Sequence, residues 1–255
     1  MRPAPSIRER VLSPFHAAEP PAPKRAGAAG LPPELALREM TGYEEEVLEA
    51  RLEDSNTAAL CNEILARCLV PPGRDPAAAR ETVRALPVAR RDALLIELRR
   101  RSLGSAISTR VPCPRCAEVN EVEFDLGELR IETADAEIPD TVECPLGDGR
   151  LAGLRLPNAG DQADLLDAGL SSMAERRTWL LARVLLRLGD EQGPFPEDAV
   201  RALPMRVRRA LEEALEAAVP DLDLGLAVRC HACGHAFGAP FDAAGFFLSS
   251  GGDGW

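Results

Sequence analysis

The phrases VPCPRCAEVNEVEFD, from Val111, and VRCHACGHAFGAPFD, from Val228, constrain this chain more than any other feature of it. Set in register, each has a Val two residues before a CxxC pair and a Phe-Asp pair eight residues beyond the second cysteine. The equivalent residues are Cys113 and Cys116 with Phe124 and Asp125, and Cys230 and Cys233 with Phe241 and Asp242. A CxxC turn presents two sulfurs from one short loop, and two such turns complete the tetrahedral four-thiolate shell of a structural zinc site. Cys113, Cys116, Cys230 and Cys233 are therefore the candidate ligands of one structural Zn2+ per chain. The repeated Phe-Asp position makes the phrases two equivalent hairpins of one composite zinc ribbon.

The spacer between the phrases is long for paired CxxC motifs, but loop-closure entropy grows only logarithmically. Lengthening a spacer from about 17 to about 113 residues costs roughly 1.7 kcal/mol, against about 10 to 16 kcal/mol that structural zinc contributes in small peptides. Two alternatives stand beside the shared site. A redox dithiol places its CxxC at a helix N-terminus, where the thiol pKa falls, whereas AEVNEVEFD after Cys116 alternates like a strand. His235, two residues after Cys233, is an alternative fourth ligand or a hydrogen-bond donor to a thiolate; His231, inside the second motif, is expected at the surface.

The chain has 255 residues, enough for a real core without disulfides. It contains no apolar run of the kind a secretory signal or a membrane span needs, so it is expected in the cytoplasm of a bacterial host, with particle association left open. In that reducing compartment seven cysteines read as thiols or metal ligands. The net charge of -11 opposes binding to a phosphate backbone, which requires clustered cations, and points to protein partners. No P-loop, HExxH, GxSxG or GxGxxG stands in suitable context, and three histidines leave little general-base material, so no enzyme activity is expected.

Periodicity predicts an α+β chain, mainly helical, with a β-hairpin insertion and the ribbon built from its two distant hairpins. Residues 1–30 form a Pro/Ala-rich tail without periodicity. Residues 31–110 form a helical region, in which Thr41 and Glu44 make a capping box. Cys61 and Cys68 lie on a helical apolar stripe, as core thiols. The next helix begins near Pro87, buries Leu94, Leu95 and Leu98, and closes at Gly104. The ribbon comprises residues 111–126 and 226–243, with Val119, Val122 and Phe124 as the apolar positions of its first returning strand. Residues 127–225 hold a hairpin turning at Gly147-Asp148-Gly149, which carries Cys144 as a structural thiol. They also hold the helices RRTWLLARVLLRLG, with Trp179 as a packing residue, and PMRVRRALEEALEAAV. Residues 244–255 are a tail.

In order along the chain, LALREMTGYEEEVLEA, LARCLV, LPVARRDALLIELRRRSLG, CPRC, LRLPNAGDQADLL and VRCHACGHAFGAPFD resemble the T4-type phage baseplate hub assembly chaperone family, from Leu31 to Phe247. Members also occur with phage-tail-like contractile injection systems. The resemblance implies a non-enzymatic assembly factor whose partners are baseplate hub, spike or other tail-assembly proteins. It carries over onto Thr41, Gly42, Glu44 and Glu45, onto Arg91, Asp92, Leu94, Leu95 and Arg99, and onto the four cysteines, and it leaves the partner-binding surface unassigned. Arg91 and Asp92 read as a solvated pair on a helix, with a client-facing or intramolecular pair as the alternative. The alternative function is a zinc-ribbon nucleic-acid-binding regulator. The acids flanking the first CxxC and the scarcity of aromatics count against it.

Overall fold

A computed structural model describes residues 36–51, 54–69, 75–128, 139–219 and 225–240. Both expected tails, Phe241 and Asp242 lie outside them. The described chain is mixed helix and sheet, with small antiparallel sheets.

The first lobe is helical: α1 (Gly42–Arg51), α2 (Thr57–Cys68), α3 (Pro76–Ala85) and α4 (Val88–Leu103). Its core joins Leu60, Cys61, Ile64, Leu65 and Cys68 of α2 to Val83 of α3 and Leu94, Leu95 and Leu98 of α4. Each fully buried leucine contributes about 2 kcal/mol from the removal of apolar area from water. Cys61 and Cys68 are core residues with no exposed surface, and burial pushes the Cys68 thiol up to about 12. Gly104, at φ +86°, ends α4 by donating its N–H to the Arg100 carbonyl. Helix α3 is an addition to the elements expected from periodicity, although Asp75 caps it and Pro76 opens its first turn.

The second lobe wraps helices around a four-stranded antiparallel sheet, β3 (Val142–Pro145), β4 (Leu151–Leu154), β5 (Leu185–Leu188) and β6 (Glu191–Gln192), in that spatial order. The β3–β4 hairpin turns through Gly147 and Gly149, both at positive φ. RRTWLLARVLLRLG is not one helix: α6 (Met173–Val184) stops at Val184, and Leu185–Leu188 leaves as β5. The helical stripe continues unbroken into LLRL, but Leu185 pairs with Leu154, and Arg155 N–H donates to the Val184 carbonyl. Ladder pairing with β4 overrides local propensity there. The short α7 (Glu197–Arg201) and α8 (Met205–Ala218) cover the core, where Val207, Leu211 and Leu215 meet Leu154, Leu181 and Leu185. Cys144 is buried in this core, its thiol 3.3 Å from the Ala210 carbonyl oxygen, as expected of a structural thiol.

Helix α5 (Ala159–Asp167) joins the lobes. Asn158 and Asp161 close its N-terminus with a reciprocal capping box. The Ala159 N–H donates to the Leu86 carbonyl at 2.8 Å, fixing the start of α5 against the α3–α4 connection. Asn56 and Asn62 amides donate to the Ala163 and Ala159 carbonyls at 2.8 and 2.9 Å. Asp161 accepts from Arg155 and Arg183, and Asp164 accepts from Arg84 and Arg183, so helices α3 and α6 are both tied to α5. Arg91 completes this seam. It is 1% exposed and donates to Asn62 Oδ1, Gln162 Oε1 and Asp92 Oδ1. The expectation of a solvated Arg91–Asp92 pair is therefore corrected, because only a buried polar seam offers a guanidinium three acceptors on three segments.

Candidate metal centre

β1 (Ala106–Pro112) pairs with β2 (Val119–Asp125), and β7 (Gly225–Arg229) pairs with β8 (Ala236–Pro240); each CxxC is the turn of its hairpin. The two turns share one hydrogen-bond pattern. In the first, Cys113 N–H donates to the Glu118 carbonyl at 2.8 Å and Ala117 N–H to the Cys113 carbonyl at 2.9 Å. In the second, Cys230 N–H donates to the His235 carbonyl and Gly234 N–H to the Cys230 carbonyl, both at 2.9 Å. Such a turn needs a left-handed residue after the second cysteine. Ala117 takes φ +62° and Gly234 φ +69° at this equivalent position.

The structure brings the four predicted cysteines together. Cys113 Sγ lies 3.8 Å from Cys233 Sγ, Cys116 Sγ lies 3.6 Å from Cys230 Sγ, and all four sulfurs lie within 4.8 Å of one another. The first cysteine of each turn faces the second of the other, as a local two-fold axis requires. Tetrahedral bonds of about 2.3 Å to zinc put ligand sulfurs about 3.8 Å apart, whereas a disulfide brings them to about 2.05 Å. The spacing therefore fits a four-thiolate ion site. Each CxxC precedes a strand, not a helix, so no helix N-terminus activates a redox thiol here.

The local field is uneven across the cluster. The Cys233 backbone N–H, aided by that of Ala232, pulls the Cys230 thiol down to about 6 against its desolvation. Cys116 stands at about 12: the Glu118 backbone N–H favours its thiolate, but desolvation and the Cys233, Cys230 and Cys113 sulfurs oppose it more strongly. Four thiolates this close require a cation among them.

Neither histidine supplies a donor atom to the cluster. His235 stacks on Phe237, with ring centroids 6.1 Å apart, and contributes its carbonyl to the turn. His231 is exposed, as expected. Its backbone N–H donates to Asn120 Oδ1 at 3.0 Å, its ring Nδ1 lies 3.1 Å from the same oxygen, and its Nε2 lies 3.6 Å from Glu118. Asn120 is the residue that sequence reasoning missed. Side chains alternate along β2, so Asn120 shares a face with Val122 and Phe124, while Val119, also read as an apolar position of the strand, is 49% exposed. The signal available was the one polar residue in the inward series Asn120, Val122, Phe124.

Several residues carried over from the resemblance are framework, whereas Gly42 and Glu45 are exposed on α1. Glu44 is buried, accepts two hydrogen bonds from Arg38, and accepts others from the Thr41 backbone N–H and hydroxyl. Glu44 thus reaches back as the capping box requires, but the Thr41 hydroxyl donates to its carboxylate. Leu94 and Leu95 are core, and Arg99 donates to the Gly104 carbonyl. Trp179 is half-buried and carries the Arg183 guanidinium 4.4 Å above its ring.

A family model described as T4 bacteriophage base plate protein matches residues 27–248, which include both hairpins and the α5 seam. The chain belongs to this family. No curated protein and no solved structure matches it. The family match places it with phage tail base plate proteins, and among its described residues no helix is long and apolar enough to cross a membrane.

Proposed function

We propose that this base plate protein is a non-enzymatic assembly chaperone or adaptor for the baseplate hub, held in shape by one structural zinc ion on Cys113, Cys116, Cys230 and Cys233. The family match over residues 27–248 carries the reading of the role. The zinc reading is supported by four sulfurs within 4.8 Å of one another. Four thiolates fill the tetrahedral shell and leave no coordination position for a substrate or an attacking water, so the ion serves the fold and the chain works by binding. A rigid body suits that role, because preorganised surfaces lose less conformational entropy when they capture a partner. On the first hairpin the exposed Glu118, Glu121 and Glu123 repel a phosphate backbone and favour a protein partner.

The test is co-expression with the hub, spike and other base plate proteins of the same tail, followed by capture through this chain. Recovery of a hub or spike protein before assembly, with this chain absent from finished particles, is the chaperone outcome. Recovery of none while those proteins remain soluble overturns the reading. Tight, salt-sensitive binding to DNA or RNA overturns it in favour of a nucleic-acid regulator.

A further inference from the structure

We infer that Asn120 and His231 form a one-way latch that selects which hairpins share the metal ion, joining the two unlike hairpins of one chain and rejecting like hairpins from two copies. This inference rests on the metal-binding reading of the cysteine cluster.

Near-identical turns create a pairing problem. Each hairpin offers two sulfurs with the same backbone geometry, so the first hairpin of one molecule and the first hairpin of another could also complete a four-thiolate shell. The sulfurs alone discriminate poorly between these partners. Asn120 breaks the equivalence. It is 3% exposed, and its Nδ2 donates to the Glu118 and Val111 carbonyls of its own hairpin, at 3.1 and 3.4 Å. Those bonds aim Oδ1 across the interface at the His231 backbone N–H and ring.

In the aligned phrases Asn120 corresponds to Phe237, and His231 corresponds to Pro114. Two first hairpins would therefore set Asn120 Oδ1 against Pro114, whose nitrogen bears no hydrogen. Two second hairpins would set Phe237 against the His231 N–H. Pairing two first hairpins leaves the buried Asn120 oxygen without its partner, which costs more than the bond itself contributes, and pairing two second hairpins forfeits the bond to the His231 N–H. Only the unlike pairing satisfies Asn120, and it leaves apolar Phe237 and Pro114 at the symmetry-related position.

The test uses full-length, zinc-loaded wild type, Asn120→Ala, His231→Ala and His231→Pro. His231→Ala keeps the backbone N–H and His231→Pro deletes it, at a CxxC position where Pro114 shows proline to be accommodated. Zinc is removed and then restored at high protein concentration. Mass is read by light scattering, and zinc loss by transfer to a coloured chelator. Wild type and His231→Ala should recover their starting mass. Asn120→Ala and His231→Pro should form larger species that EDTA dissolves, and should release zinc at least about fivefold faster. Wild-type mass and release rate in both overturn the latch. Faster release at unchanged mass also overturns it, since Asn120 would then hold the site without choosing the partner. A wild type that takes up no zinc overturns the metal reading together with the latch.

Discussion

The guanidinium of Arg91 on α4 lies 3.3 Å from Asn62 Oδ1 on α2, and the Asn62 amide donates in turn to the Ala159 carbonyl at the start of α5. A buried cation thereby holds the helical lobe to the helix that leads into the sheet lobe. Arg91→Met keeps most of the volume and removes the charge, leaving Asn62 and Gln162 with unpaired acceptors. The expected loss is about 3 kcal/mol of unfolding free energy. Urea titration followed by both tryptophan fluorescence and circular dichroism checks it. Unchanged stability would show that the seam holds the lobes without this cation.

The metal reading sets a matched pair of outcomes. Purified protein should carry one zinc per chain, and Cys113→Ser and Cys230→Ser should lower the melting temperature by similar amounts, because each opens the same shell. Chelation should destabilise the wild type and leave either variant nearly unaffected. Metal analysis beside calorimetry decides; dissimilar losses would mean that the hairpins do not share an ion.

Ala117 and Gly234 offer an exchange within one backbone geometry. Ala117 occupies φ +62°, where a Cβ costs about 1 kcal/mol, so Ala117→Gly should stabilise the holo protein by roughly 0.5 kcal/mol after the added freedom of the unfolded chain is subtracted. Gly234→Ala, which has open space for its Cβ, should destabilise it by a similar amount, roughly 0.5 kcal/mol. Thermal melts of the zinc-loaded proteins test both signs.

Glu44 sets an acid limit on the helical lobe. Hydrogen bonds from Arg38 hold its carboxyl at about 2, well below the usual carboxylate range, despite its burial. A depressed acid pKa contributes stability above the unfolded value, and that contribution is lost as pH falls from about 4.5 to about 2. Glu44→Gln should therefore cost about 2 kcal/mol at pH 7, an amount moderated by the surface position of Arg38, and almost nothing near pH 2. Denaturant midpoints of both proteins across that range provide the measurement.

The ligand set was legible because CxxC chemistry is written in adjacent residues and the repeated phrase marked both turns as one kind of object. Cys61, Cys68 and Leu94 were legible because helical periodicity states burial directly. Arg91 was misread because its acceptors Asn62 and Gln162 are distant in sequence, and an Arg-Asp pair on a helix carries no local mark of burial. β5 was misread because LLRL satisfies both a helical stripe and a strand ladder, and only the position of β4 decides between them. Asn120 escaped notice because its role exists only where the second hairpin meets the first.

Cys116 and Cys230 are 114 residues apart along the chain and 3.6 Å apart in space. With an ion on the four sulfurs, everything from β2 to β7 becomes a ring closed at the metal, which α5 also joins to the helical lobe. Tension applied at the two ends of the polypeptide then passes from β1 to β8 through metal–sulfur bonds and leaves the sheet lobe slack. A protein so wired can bear load across its termini while the segment inside the ring keeps its shape.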